Sequence, residues 1–162
     1  HPATLLATTI CFVSTAMNLS AQAPTPAAPS AKLGSAVFRW DDLVAQSSGV
    51  GERRDVARNP TATLREFECH ISTLNAGLPS HLPHRHPQEE LIVLKEGTLE
   101  VFINGTTQRI GAGSLFFFAS YDLHAVRNVG QTPATYYVFN FATDATRTLA
   151  PQPAAESAAP DK

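Results

Sequence analysis

The segment from Ser80 to Glu90, SHLPHRHPQEE, holds three of the six histidines, His81, His84 and His86, and ends on two carboxylates. In an extended chain, side chains at even offsets share a face, so His84, His86 and Glu90 point one way while Arg85 and Glu89 point the other. Two imidazoles and a carboxylate on one face form the core of a site for a borderline divalent cation, with positions left for water or a substrate. The competing reading is a solvated loop with incidental histidines, and an HxH pair alone does not separate the two. His81 is out of phase with His84: it is either a loop residue or a group at the mouth of a site, supporting a ligand or moving a proton. No glycine-rich phosphate loop, nucleophile elbow or pair of catalytic carboxylates occurs. Nucleotide hydrolysis, serine hydrolysis and glycosidase chemistry are therefore set aside.

The elements that must position these groups read as strands. Thr63 to Leu74 alternates with period two, placing Phe67, Cys69, Ile71 and Thr73 on one face and Glu66, Glu68, His70 and Ser72 on the other, the pattern of a half-buried strand. On that polar face His70 is either a surface residue or a pocket residue. Glu90 to Lys95 ends at Gly97, and Leu99 to Ile103 and Thr106 to Ile110 flank Asn104-Gly105, the strongest short-range hairpin signal. Ser114 to Phe118, His124 to Asn128 and Ala134 to Phe141 supply further strands, and Val37 to Gln46 a strand followed by one helical turn near Asp41 or Asp42. Such a series of short strands predicts an all-β sandwich or barrel. The aromatic runs are core by alternation; where Phe116 and Phe118 face the interior, they give a pocket an apolar, aromatic wall suited to a small organic molecule.

The chain has 162 residues, 12 Lys+Arg and 14 Asp+Glu, for a formal charge of -2, which fits one domain and shows no basic run for nucleic acid or an anionic membrane. Leu5 to Leu19 is uncharged, apolar and rich in small residues, and leads into Ser20-Ala21-Gln22-Ala23. It reads as a secretory leader over residues 1–23 or else as a disordered N-terminal stretch; it is too short and too rich in Ser and Thr for a membrane span. The leader reading predicts a periplasmic or secreted protein, with no membrane attachment after cleavage. Only Cys69 would then remain, so no internal disulfide can form and the core must hold the fold. A Pro/Ala-rich linker over 24–35 and a disordered Pro/Ala-rich tail over 144–162 bracket a folded unit at 36–143.

Two blocks stand out: His84-x-His86-x3-Glu90-x6-Gly97, and, 15 residues on, Gly113-x5-Ala119-x-Tyr121-x2-His124-x3-Asn128. Together they resemble the two motifs of the cupin superfamily across roughly residues 63–141. The resemblance implies a small double-stranded β-helix, or jelly-roll barrel, with flexible ends, and it implies metal ligands at His84, His86, Glu90 and His124. It also implies a homodimer, for which exposed sheet edges give a physical motive. Six residues instead of five separate Gly77 from His84, and Ala119 and Tyr121 stand where the second motif carries Pro and Gly, which predicts a wider turn that lets Tyr121 lean over the barrel mouth. Softness allows Mn, Fe, Co, Ni, Cu or Zn as the one divalent ion. Since fold does not fix activity, three readings stay open. They are an exported metalloenzyme doing oxidative, dioxygenase-like or Lewis-acid chemistry on a small organic substrate, a non-catalytic module binding metal and ligand, and a structural-metal barrel serving as an interaction domain.

Overall fold

A computed structural model describes residues 31–149; the leader, most of the linker and the end of the tail lie outside the described residues. The chain runs through a 3-10 turn at Trp40–Asp42 and then β1 (Gln46–Ser48), β2 (Gly51–Asn59), β3 (Glu66–Leu74), β4 (Glu89–Glu96), β5 (Thr98–Ile103), β6 (Thr106–Gly111), β7 (Leu115–Phe118), β8 (His124–Asn128) and β9 (Ala134–Ala142), with a last 3-10 turn at Ala145–Arg147. Among the described residues no helix is long and apolar enough to cross a membrane. The antiparallel strands form two sheets, one ordered β1-β2-β3-β9-β4-β7 and the other β6-β5-β8. Non-sequential neighbours such as β3-β9-β4 make this a rolled, two-sheet barrel, the all-β architecture that the spacing predicts.

Sequence features account for most of these boundaries. Asn104 and Gly105 take φ of 45° and 91° at the turn between β5 and β6, the left-handed pair that a two-residue hairpin demands. Gly97, at φ 94°, lets β4 turn into β5 where a Cβ would lie 2.6 Å from Ala134. The helical turn expected near Asp41 is the 3-10 turn, but Val37–Arg39 forms no strand. Conversely, β2 carries no strand signal: its sequence, GERRDVARN, has Val56 and Ala57 as its only apolar residues. It forms because β3 supplies a full ladder and its charges pair locally, Arg53 with Asp55 at 2.7 Å and Arg54 with Glu52 at 3.0 Å.

The core lies between the sheets and includes Leu74, Ile92, Leu94, Leu99, Val101, Phe118, Val126, Ala134, Tyr136 and Val138. The expectation of a half-buried β3 is corrected: both faces are covered, with Glu68, Cys69, Ile71 and Leu74 all buried. Its polar face is the one turned into the barrel, because Glu68, His70 and Ser72 pair in register with Asn140, Val138 and Tyr136 of β9. Cys69 is free, and burial together with the nearby Glu68 charge pushes its thiol up to about 11, so it stays protonated.

Asn128 closes the end of β8. Fully buried, it donates to the carbonyls of Leu74 at 2.9 Å and Thr132 at 2.8 Å and accepts from Gly130 N–H at 2.9 Å. Replacing Asn128 with Leu leaves three backbone groups without partners and should destabilise the domain by about 2–4 kcal/mol. Urea unfolding is the measurement; a loss within experimental error would show that the turn is held by other means.

Candidate metal centre

Backbone pairing builds the site. His84 and His124 form an isolated antiparallel bridge, each N–H donating to the other's carbonyl at 3.1 Å. The flanking chain zips along β8 in the same sense: Asn128 N–H donates to Leu78, Ser80 N–H to Val126, and Tyr121 N–H to His86. The histidine segment is thus an irregular extra strand beside β8, which explains why His84 and His86 share a face although no regular strand covers them. Glu90 follows on β4, with its side chain turned inward.

His84, His86 and His124 converge so that their ligand nitrogens lie within 4.8 Å of one another, and they could hold a metal ion. Ring centroids are 5.2 Å apart for His84 and His86, 4.6 Å for His84 and His124, and 4.8 Å for His86 and His124. Two of the rings are oriented by the backbone. Nδ1 of His124 donates to the Asp122 carbonyl at 2.7 Å, which leaves its Nε2 with the lone pair, and Nδ1 of His86 lies 2.9 Å from the Gln88 carbonyl. Phe118 stacks on His124 at 4.1 Å and fixes its plane. Two buried ring nitrogens, His84 Nδ1 and His124 Nε2, have no hydrogen-bond partner among the described residues. An orphaned buried nitrogen is costly, and a cation answers that cost at both atoms.

Electrostatics agree with this donor set. Burial, with the neighbouring imidazoles, pushes His84 down to about 4, and burial also lowers His124. Both therefore remain neutral ligands in the neutral range. His86 is raised, chiefly by its hydrogen bond to Glu90, whose Oε2 lies 3.2 Å from His86 Nε2. Glu90 thus meets the histidine cluster through His86.

His84 and His124 open into a cavity of about 340 Å³, whose apolar lining includes Ile92, Phe118, Val126 and Val138 and whose polar lining includes His70, Ser72, Ser80, His81, Glu90 and Tyr136. His81 is exposed and stands edge-on to His84 at 4.1 Å, so it is at once a loop residue and part of the mouth. His70 belongs to the cavity wall. The expectation for Tyr121 is corrected: it does not line the cavity, and its hydroxyl donates to the Leu149 carbonyl at 3.1 Å. Phe116 is corrected likewise, for it packs against the core and edge-on to Phe118 at 5.4 Å, leaving Phe118 alone on the cavity wall.

The family model described as "Cupin domain" matches residues 70–140, which span both motif blocks and the three histidines. This is a cupin domain. Solved structures agree on the fold. An RmlC-like cupin from Shewanella frigidimarina superposes with a TM-score of 0.58 at 16% identity, covering 68% of this chain and 94% of that one. KdgF from Halomonas sp. gives 0.57 at 18% identity, with 69% and 98% covered. The polyketide cyclase RemF from Streptomyces resistomycificus gives 0.54 at 19% identity, with 67% and 80% covered. No curated protein matches the chain.

One part of the cupin domain's interior went unrecognised in the sequence. The Glu68 side chain, 7% exposed, accepts from Arg53 Nη2 at 2.8 Å, Asn140 Nδ2 at 2.7 Å and His70 Nδ1 at 2.8 Å. Burial works against its charge, but the hydrogen bonds from His70 and Asn140 and the charges of His70 and Arg53 outweigh it. The carboxyl falls from 4.5 to about 2. The alternation of β3 carried the signal; what hid it was that Arg53 and Asn140 come from β2 and β9, far away in sequence. Because the folded value lies below the ordinary one, the carboxylate stabilises the fold above pH 4.5, and that contribution is lost as pH falls toward about 2. The gap corresponds to roughly 3 kcal/mol. Urea unfolding of the native protein and Glu68→Gln over a pH series should show their stability difference shrinking by about that amount on acidification, whereas a difference independent of pH would exclude it.

Proposed function

We propose that this cupin domain is a small metalloenzyme whose ion is held by His84, His86, His124 and Glu90 and whose substrate is a small organic molecule bound in the adjoining cavity. The observation that carries this reading is the pair of buried, partnerless nitrogens, His84 Nδ1 and His124 Nε2, close to a third imidazole and on rings that line a cavity of about 340 Å³. A structural site is closed by its ligands, whereas here the donors border space of ligand size. When bound, a divalent ion at four protein ligands supplies Lewis acidity or, if redox-active, oxidative chemistry. The chain's own residues do the rest. Ile92, Phe118, Val126 and Val138 exclude water and seat an apolar body, while Ser72, Ser80 and Tyr136 offer hydroxyls to orient polar groups. Charge supports Glu90 as the fourth ligand: its carboxylate lies 3.2 Å from His86 Nε2 and would offset part of a metal's charge.

Export to the periplasm or medium is part of the proposal and rests on the leader-like N-terminal sequence alone. So is homodimerisation, supported by Leu115 and Phe117 on the outer face of β7, 65% and 48% exposed.

Elemental analysis of protein purified without a chelating tag should find about one transition-metal ion per chain, and turnover of oxygen or of a phenol and keto-acid panel should follow the metal; stoichiometric metal without turnover favours the binding module. His124→Ala should weaken metal binding by more than the 10- to 100-fold typical of changes to groups behind the ligands, roughly 100-fold or more. Unchanged metal content would sink the assignment. Because imidazoles bind metal only when neutral, affinity should begin to fall on acidification as His86, raised above its ordinary range, takes a proton, and fall further toward about 4, where His84 follows, read by competition with a chromogenic chelator.

A further inference from the structure

We propose that His70 is an acid–base residue of the cavity, taking a proton on Nε2 from a hydroxyl group of the bound molecule and returning it, with Glu68 as its positioning residue. This rests on the reading of the cavity as a small-molecule site, and it implies a hydroxylated substrate.

Geometry carries the argument. His70 sits in the middle of β3 on the face turned inward, its side chain 13% exposed, and it lines the same cavity as His84 and His124. Its Nδ1 lies 2.8 Å and 3.2 Å from the two oxygens of Glu68. An ionised carboxylate only accepts, so in the neutral ring the proton is on Nδ1 and the lone pair is on Nε2, the atom left for the cavity. Glu68 in turn is held from both sides, by Arg53 of β2 and Asn140 of β9. Three donors fix this carboxylate on strands, which is how an acid–base group is given a single orientation. A buried ion network is a poor source of net stability compared with apolar packing, so its placement on the cavity wall asks for a functional reason.

The transfer balances without a further reactant. The ligand O–H bond breaks, an N–H bond forms at Nε2, the electron pair stays on the ligand oxygen, and the imidazolium rests against the Glu68 carboxylate. Nothing is oxidised or reduced. The reverse step restores the hydroxyl.

The test uses the full chain loaded with zinc, which is redox-inert, and 4-nitrocatechol, a hydroxylated aromatic whose absorption reports whether it has lost a proton. His70→Gln and Glu68→Gln are compared with the native protein after circular dichroism and zinc content establish that each is folded and loaded. His70→Gln is expected to keep its zinc but bind the probe about tenfold more weakly, the effect of losing one hydrogen bond to a charged group. The bound probe should also ionise at higher pH. In metal-free protein, imidazole 15N shifts should report a single Nδ1–H tautomer for His70 that Glu68→Gln scrambles, and the His70 Nε2 signal should move when the probe is added. Unchanged probe affinity and ionisation in folded, zinc-loaded His70→Gln would overturn the proposal, as would an Nε2–H tautomer in the native protein. Should zinc fail to bind while the tautomer and the probe's effect on Nε2 hold, the metal reading falls and this one stands. If Glu68→Gln does not fold, the tautomer in the native protein and the His70→Gln comparison still decide.

Discussion

A pair of backbone hydrogen bonds between His84 and His124 is the constraint on which the site depends. Forty residues separate the two in sequence, and no side-chain contact alone would bring an irregular loop and a strand into register. The bridge does so with groups that every residue possesses, and Tyr121, Val126 and Asn128 extend the pairing on either side. The three imidazoles converge because the backbone has already been paired. Ring orientation is then set by carbonyls of the same segments, Gln88 for His86 and Asp122 for His124. Ligand placement and ligand tautomer thus follow from one piece of local pairing.

The interior changes character along the strands. In β3 the inward residues run Glu68, His70, Ser72, Leu74; in β9 they run Asn140, Val138, Tyr136, Ala134; in β4 they run Glu90, Ile92, Leu94. At one end of the barrel these meet as Leu74, Ala134 and Leu94, all buried and apolar, and at the other as Glu68, Asn140 and Glu90. The apolar end supplies the hydrophobic free energy that holds two small sheets together without a disulfide. The polar end is left with charges that the core cannot dilute, and each has a partner: Glu68 with Arg53, Asn140 and His70, and Glu90 with His86. The candidate donors are confined to the end where packing is incomplete.

Much of this was legible because it is local. Period-two alternation gave β3, the Asn104-Gly105 pair gave the β5–β6 turn, and the histidine spacing gave the candidate donors. What escaped notice depends on partners. The charged strand Gly51–Asn59 has no apolar alternation of its own and exists through pairing with β3. The polar face of β3 stays open between surface and pocket in the sequence because a buried carboxylate is improbable until its three donors are known, and two of them lie on other strands. Phe116 was misread for a related reason. Alternation shows correctly that it shares an inward face with Phe118, but whether an inward ring meets the cavity or the core is decided by the opposite sheet.

Tyr121 shows why a motif should be read as backbone conformation as well as residue identity. It stands where the second cupin motif carries glycine, and its φ of 62° is the left-handed geometry that glycine adopts freely. A non-glycine residue there costs roughly 1–2 kcal/mol. Three hydrogen bonds offset that cost: its N–H donates to His86, its carbonyl accepts from Arg85, and its hydroxyl donates to Leu149. Two of the three tie the turn directly to the histidine segment. The turn before His124 is therefore held with a non-glycine residue in the left-handed region, and the bridge between His84 and His124 forms beside it.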